Sequence, residues 1–238
     1  MKLNLKEVYE GIVRTNANPW AGSSAPQIPV RAKELLEPYK KALASKGIDI
    51  GTLKVLGHGA LGSAFALADG TVLKVTSDQT EAAAAKHTIG KNFKNVYKVF
   101  GVYQLGNKEK HFVIWQELLD RAPIASIFGH SETPMANAFY GIKSNGFLEP
   151  TGAPDSEIKL RVGDYDLPPE QKIELFDILH DVSAGLKELN SIGIKFHDFH
   201  LNNILFRHAD DRYVIIDLGD SNSPRAEIDD LAADPSHL

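Results

Sequence analysis

The sequence predicts an α+β protein in which a sheet-rich N-terminal lobe precedes a smaller, helix-based C-terminal lobe. Three observations predict it. From Thr52 onward, short apolar runs alternate with glycine-bearing turns, the pattern of a strand meander. Between Pro168 and Gly193, Leu175, Ile178, Leu179, Val182, Leu186 and Leu189 form one continuous apolar stripe at helical spacing. Two short apolar runs, 204–206 and 213–216, then return to the strand pattern.

Taken in order, residues 1–50 read as a helical extension, with apolar positions at helical spacing in 30–36 and 38–43 and a turn-forming stretch at 16–24. Residues 51–119 read as the N-terminal lobe. Runs 53–56, 63–67, 71–76, 96–104 and 111–118 give a five-stranded antiparallel sheet, and 80–89 a single helix with Asp78 as its N-cap. Residues 120–238 form the reduced C-terminal lobe. Within it, 121–166 is rich in glycine, proline and polar residues and reads as irregular. The long helix opens at Pro168-Pro169-Glu170 and ends at Gly193, and 220–238 is an acidic tail expected on the surface.

Composition narrows the function classes. The 238 residues are 43% hydrophobic and 24% charged, as in an ordinary globular chain. No run approaches the roughly 18 consecutive apolar residues of a membrane helix. The absence of cysteine excludes disulfides, thiolate catalysis and zinc–thiolate sites. A net charge of -5 gives no support to a nucleic-acid or acidic-membrane partner. The charged N-terminus does not resemble a secretory signal, so a cytoplasmic location is expected.

Four features carry chemistry. Gly57-His58-Gly59-Ala60-Leu61-Gly62 joins two predicted strands, and Gly57, Gly59 and Gly62 would let backbone amides approach a polyphosphate; an ordinary hairpin turn reads the same way. Lys74 lies between apolar residues on the third strand, placed either to contact nucleotide phosphates or to face solvent. Glu81 is its nearest partner, although with Asp78 it also makes a plausible helix-capping arrangement. After the long helix comes Phe196-His197-Asp198-Phe199-His200-Leu201-Asn202-Asn203, where Asp198 can orient a hydroxyl proton and Asn203 can bind a metal. His197 and His200 fit no zinc-ligand spacing. Finally, Asp217 stands at the exit of an apolar strand before Gly219, either as a magnesium ligand or as a plain strand-ending acid.

In this order, the features from about Thr52 to Asp220 resemble the protein-kinase superfamily. Gly57, Gly59 and Gly62 resemble its phosphate loop and Lys74 its third-strand lysine. Asp198 and Asn203 look like its catalytic-loop pair, and Asp217-Leu218-Gly219 like its metal-binding motif. The resemblance implies a bilobal protein-kinase-like fold, ATP and Mg2+ as cofactors, and a hinge at 117–119 (Glu117 to Leu119) receiving adenine. Asp198, Lys74 and Asn203 would be catalytic, Asn203 and Asp217 would hold the metal, and Glu81 would pair with Lys74. Phe196 stands where the family carries histidine, and His200 where serine/threonine kinases carry lysine. The Asp-x-His-x-x-Asn arrangement is similar to that of aminoglycoside and choline phosphotransferases and of small bacteriophage serine/threonine kinases. The implied activity is phosphoryl transfer from ATP to a protein serine or threonine. A small-molecule kinase, a pseudokinase binding module and nucleotide transfer remain as alternatives.

Overall fold

The computed structural model describes residues 27–58, 61–106, 111–121, 151–198, 201–219 and 221–234. They form a mixed α+β chain built on one large, mostly antiparallel sheet. Helix α1 (Gln27–Leu36), a 3-10 turn (Glu37–Tyr39) and α2 (Lys40–Ser45) precede the sheet. Strands β1 (Lys54–His58), β2 (Gly62–Ala66) and β3 (Thr71–Thr76) make an antiparallel meander, with a bulge in β1 between Val55 and Gly57. Helix α3 (Gln79–Thr88) crosses to β4 (Val99–Leu105) and β5 (Phe112–Glu117), which complete the order β1-β2-β3-β5-β4.

Strand alternation decides what each face of this sheet buries. Leu73 and Val75 of β3 and Val113 of β5 join Phe65, Leu105, the Leu36 and Leu43 side chains of the N-terminal helices and Ile48 just after them. Their neighbours Val102, Phe112 and Ile114 point the other way, into a second core with Ala82, Ala84 and Ala85 of α3. Lys74 is paired with Ile114 across β3 and β5, so it too projects to the α3 side.

The second core continues into the C-terminal half. Helix α5 (Pro169–Asn190) enters on a proline at its first position and buries Leu175, Ile178, Leu179, Val182, Leu186 and Leu189, the stripe read from the sequence. Gly193, at φ +80°, turns the chain out of it, a left-handed conformation that glycine adopts without cost. A short ribbon follows: β6 (Asp120–Arg121) pairs with β8 (Ile204–Arg207), and β8 with β9 (Arg212–Ile215). Strand β7 (Lys195–Phe196) pairs with β10 (Ser221–Asn222) beside it.

Two expectations are corrected. Within 121–166, residues 122–150 lie outside the described residues, but Asp155–Gly163 is a helix, α4, and not an irregular segment. It buries Ile158 and Val162, and Ala153 at its approach exchanges two 2.6 Å hydrogen bonds with the Ser183 hydroxyl of α5. The sheet is also six-stranded, not five-stranded and wholly antiparallel. Asp229–Leu231 of the acidic tail forms β11, parallel to β4 at the sheet edge. The expected fourth strand begins later, at Val99, while Val96 makes an isolated parallel bridge to Ile215. Residues 16–24 lie outside the described residues.

The tail lies largely on the surface, as expected, but it is pinned across the molecule at several points. The carbonyl of Pro224 lies 3.1 Å from His87 Nε2 at the end of α3, and Asp229 lies 3.5 Å from the Lys86 ammonium. Leu231 is buried among the N-terminal helices, the Asp234 amide donates to the Pro38 carbonyl at 2.7 Å, and Lys41 pairs with the Asp234 carboxylate at 2.5 Å. No helix among the described residues is long and apolar enough to cross a membrane.

Leu231 is the one apolar anchor of β11 itself. Replacing it by aspartate removes roughly 1.5–3 kcal/mol of burial and places a charge where it has no partner. Leu231→Asp is expected to lower stability by about 2–4 kcal/mol, read from the urea midpoint at unchanged slope.

Candidate functional site

Helix α3 begins at Asp78, whose extended backbone and carboxylate cap it: Oδ1 accepts from the amides of Thr80 at 2.8 Å and Glu81 at 3.2 Å. Because Asp78 satisfies the helix start, the Glu81 side chain is free of that duty and turns inward. Its Oε1 lies 2.5 Å from Lys74 Nζ. The same ammonium lies 2.8 Å from Asp217 Oδ2. The two roles weighed for Glu81 thus divide between neighbours, with capping by Asp78 and ion pairing by Glu81. The solvent-facing reading of Lys74 is excluded, since its side chain is 16% exposed and that of Glu81 3%.

Burial of three charges together shifts their proton affinities. Desolvation opposes the Lys74 ammonium, but Glu81 and then Asp217 outweigh it, and the Lys74 pKa lies above its ordinary value. Desolvation pushes the Glu81 carboxyl up to about 7, against the opposing pull of Lys74. Asp217 is the open member, with its side chain 41% exposed. It holds φ at +55°, a left-handed conformation that costs most residues about 1–2 kcal/mol and that aspartate tolerates better than most.

Asp198 and Asn203 form the second half of the site. The Asn203 side-chain amide donates to the Asp198 carbonyl at 3.0 Å and to its Oδ2 at 2.9 Å, which fixes the loop and the carboxylate together. Asn203 is buried, and both bonds use its Nδ2, so its Oδ1 remains an acceptor. The Asn203 carbonyl accepts from the Ile216 amide at 2.9 Å, which sets Asp217, the next residue, beside this loop. Phe199 and His200 lie outside the described residues, as does Gly59 of the glycine-rich turn.

The other two glycines differ in kind. A side chain on Gly62 would run into the backbone carbonyl of Val75, so the close approach of β2 to β3 accounts for that glycine. A side chain on Gly57 would meet nothing within 4 Å, and neither packing nor a left-handed backbone accounts for it.

Glu117 and Leu119 sit where β5 leaves the sheet for β6. Arg207 grips the Glu117 carboxylate through Nε at 3.0 Å and Nη2 at 2.5 Å, while donating to the carbonyls of Lys94 at 2.6 Å and Val96 at 3.2 Å. The Glu117 amide donates to the Lys98 carbonyl at 3.0 Å. Neither the Glu117 side chain nor its N–H is therefore open to a ligand, and Leu119 packs against the second core. Sequence reasoning missed Arg207 and also Tyr97, a fully buried phenol beneath α3. Neither residue belongs to a local pattern that would have singled it out.

No protein-family model matches the sequence, and no curated protein shows significant sequence similarity to it.

Glu81 makes the site's proton balance testable. A carboxyl whose folded pKa lies above its unfolded value favours the folded state at acid pH. That contribution is complete below about 4.5 and is lost as the pH rises through about 7. The melting temperature of the wild type relative to Glu81→Gln is expected to fall, by on the order of 5 °C, between pH 5 and pH 8. A constant difference across that range would place Glu81 ionisation outside the folding balance.

Proposed function

We propose that the chain is an ATP- and magnesium-dependent phosphotransferase of protein-kinase-like fold, transferring the γ-phosphoryl group to a hydroxyl of a protein serine or threonine. The observation that carries the reading is the buried Lys74 ammonium held between Glu81 and Asp217, with Asp198 locked to Asn203 on the adjoining ribbon. A lysine held by a buried acid on one side and by a solvent-exposed carboxylate on the other is suited to binding phosphate oxygens.

The residues present fit a hard divalent cation. Magnesium takes oxygen ligands, and the Asp217 carboxylate and Asn203 Oδ1 are such donors, one just after β9 and the other just before β8. Lys74 is shared between two acids, Glu81 and Asp217. When bound, the metal would neutralise charge on the nucleotide phosphates.

The protein groups then have separate duties. Gly57 opens the hairpin backbone to the phosphates. Lys74 binds phosphate oxygens while Glu81 retains it. Asp198 orients the acceptor hydroxyl and takes its proton as the new P–O bond forms and the bond to ADP breaks. The adenine would lie against 117–119, with recognition falling to backbone groups other than the Glu117 amide.

The decisive experiment incubates wild type and Asp198→Ala with magnesium and ATP labelled at either the γ- or the α-phosphate, with and without cell lysate. γ-Label on protein that falls roughly 10²–10⁴-fold in Asp198→Ala is expected. α-Label would redirect the reading to nucleotide transfer. ATP consumption without labelled protein, seen only when small hydroxyl compounds are supplied, would replace the protein acceptor by a small molecule.

The glycines supply an independent check. Gly57→Ala is expected to leave stability within about 0.5 kcal/mol of wild type while weakening nucleotide binding. Gly62→Ala, which overpacks β3, is expected to cost about 1–3 kcal/mol of stability. Thermal melts and equilibrium nucleotide titrations of both variants separate the two effects.

A further inference from the structure

Tyr97 is 1% exposed, and its hydroxyl has no hydrogen-bond partner among the described residues. A buried hydroxyl in that condition costs about 1–3 kcal/mol, and phenylalanine would fill the same volume without that cost. Such a group calls for a reason outside the free protein's own stability.

Its surroundings supply one. The Tyr97 amide donates to the Ile215 carbonyl at 3.0 Å, and the Ile215 amide donates to the Asn95 carbonyl at 2.9 Å; Ile215 ends β9 two residues before Asp217. Asn95 is held in turn by Glu188 of α5, whose Oε2 accepts its amide at 2.9 Å, and its side chain donates to the Tyr213 carbonyl at 3.0 Å. The phenol packs in the core that contains Ala82, Ala84 and Ala85 of α3, the helix that carries Glu81. Burial and the nearby negative charges, Glu81 first and Asp217 second, keep the phenol protonated, so it can act only as a donor to them. Tyr97 is thus a buried donor whose backbone is tied to Ile215 and whose ring shares a core with α3, and neither acid is its partner.

We propose that Tyr97 is a positioning residue for nucleotide binding: its hydroxyl donates to the Glu81 carboxylate when Lys74 exchanges Asp217 for the phosphates. This rests on the phosphotransferase reading of the site. In the free protein Lys74 sits between both acids. Once it moves toward phosphate, Glu81 keeps its burial but loses part of its compensation. A buried donor from the same core then offsets that loss. The hydroxyl therefore contributes to the nucleotide-bound state and not to the free one.

The test is Tyr97→Phe, measured by thermal melting of the free protein and by equilibrium titration with magnesium and ADP or ATP, alone and in a Glu81→Gln background. The melting temperature is expected to stay level or rise, while nucleotide affinity falls about tenfold. In Glu81→Gln the same substitution should change affinity less than twofold, because the acceptor charge is gone. Equal affinity of wild type and Tyr97→Phe would overturn the proposal, as would a tenfold loss that persists in Glu81→Gln. A clear drop in melting temperature at unchanged affinity would assign Tyr97 a purely structural role. Failure of the wild type itself to bind nucleotide would instead bring down the phosphotransferase reading, which makes the two failures distinguishable.

Discussion

An ammonium taken almost out of water must be neutralised where it stands, and Lys74 imposes that constraint on the whole molecule. Desolvating a lysine without a partner costs several kcal/mol, more than most single contacts return. The sheet fixes one end of the problem by projecting Lys74 to the α3 side, beside Ile114. The helix must then deliver Glu81 to it, which requires the helix to start at Asp78. The β9 strand must deliver Asp217, which requires the C-terminal ribbon to dock on the back of the same sheet. Three separate elements converge because one charge has to be met. Glu81 completes the pair almost without solvent, whereas Asp217 keeps contact with it. That asymmetry divides a permanent partner from an exchangeable one.

Docking of the ribbon has its own cause. Arg207 presents a planar set of donors, and its contacts join two other parts of the chain: Glu117 at the end of β5 and the carbonyls of Lys94 and Val96 before β4. A guanidinium satisfied on several sides is stiffer than the same number of separate surface pairs, because moving one partner disturbs the others. Glu188 repeats the device from α5 by accepting the amides of Lys94 and Asn95 at 2.8 and 2.9 Å. The 94–97 segment is thus pinned from two directions, and the position of the Tyr97 phenol follows from that pinning.

Sequence pattern reached the parts of this design that local physics encodes. Strand β3 was readable because its apolar run is bounded by turns, and α3 because Asp78 announces its start. Asp198, Asn203 and Asp217 stood out as polar residues bordering apolar runs, where burial makes them costly unless they have work to do. Strand β11 was hidden. It contains two aspartates and one leucine, and it owes its existence to backbone pairing with β4 more than a hundred positions earlier, which no periodicity reports. Helix α4 was obscured by Pro154, Gly152 and Gly163 at its borders and by only two buried side chains. Tyr97 and Arg207 illustrate a deeper limit. A tyrosine in an apolar run reads as core, and only the folded arrangement reveals that its hydroxyl lacks a partner. An arginine on a short strand reads as surface, and only the fold shows how many carbonyls converge on it.

The tail connects these observations. Residues 221–234 continue directly from the motif that holds Asp217, pair with β7 at the entry to the Asp198 loop, pass the end of α3, and finish against the N-terminal helices. A single covalent segment therefore touches β7 ahead of Asp198, the Leu218 carbonyl beside Asp217 and the helix of Glu81. An isolated ion pair between exposed residues, such as Lys86 with Asp229, contributes little. Burial of Leu231 and the parallel pairing of β11 supply the stronger hold. That hold lies at the edge of the sheet, away from Lys74. The carboxylates around Lys74 are thus supported from beneath by the 94–97 segment and across the helix by the tail. In the proposed function, Lys74 and Asp217 can exchange partners while the frame around them stays fixed.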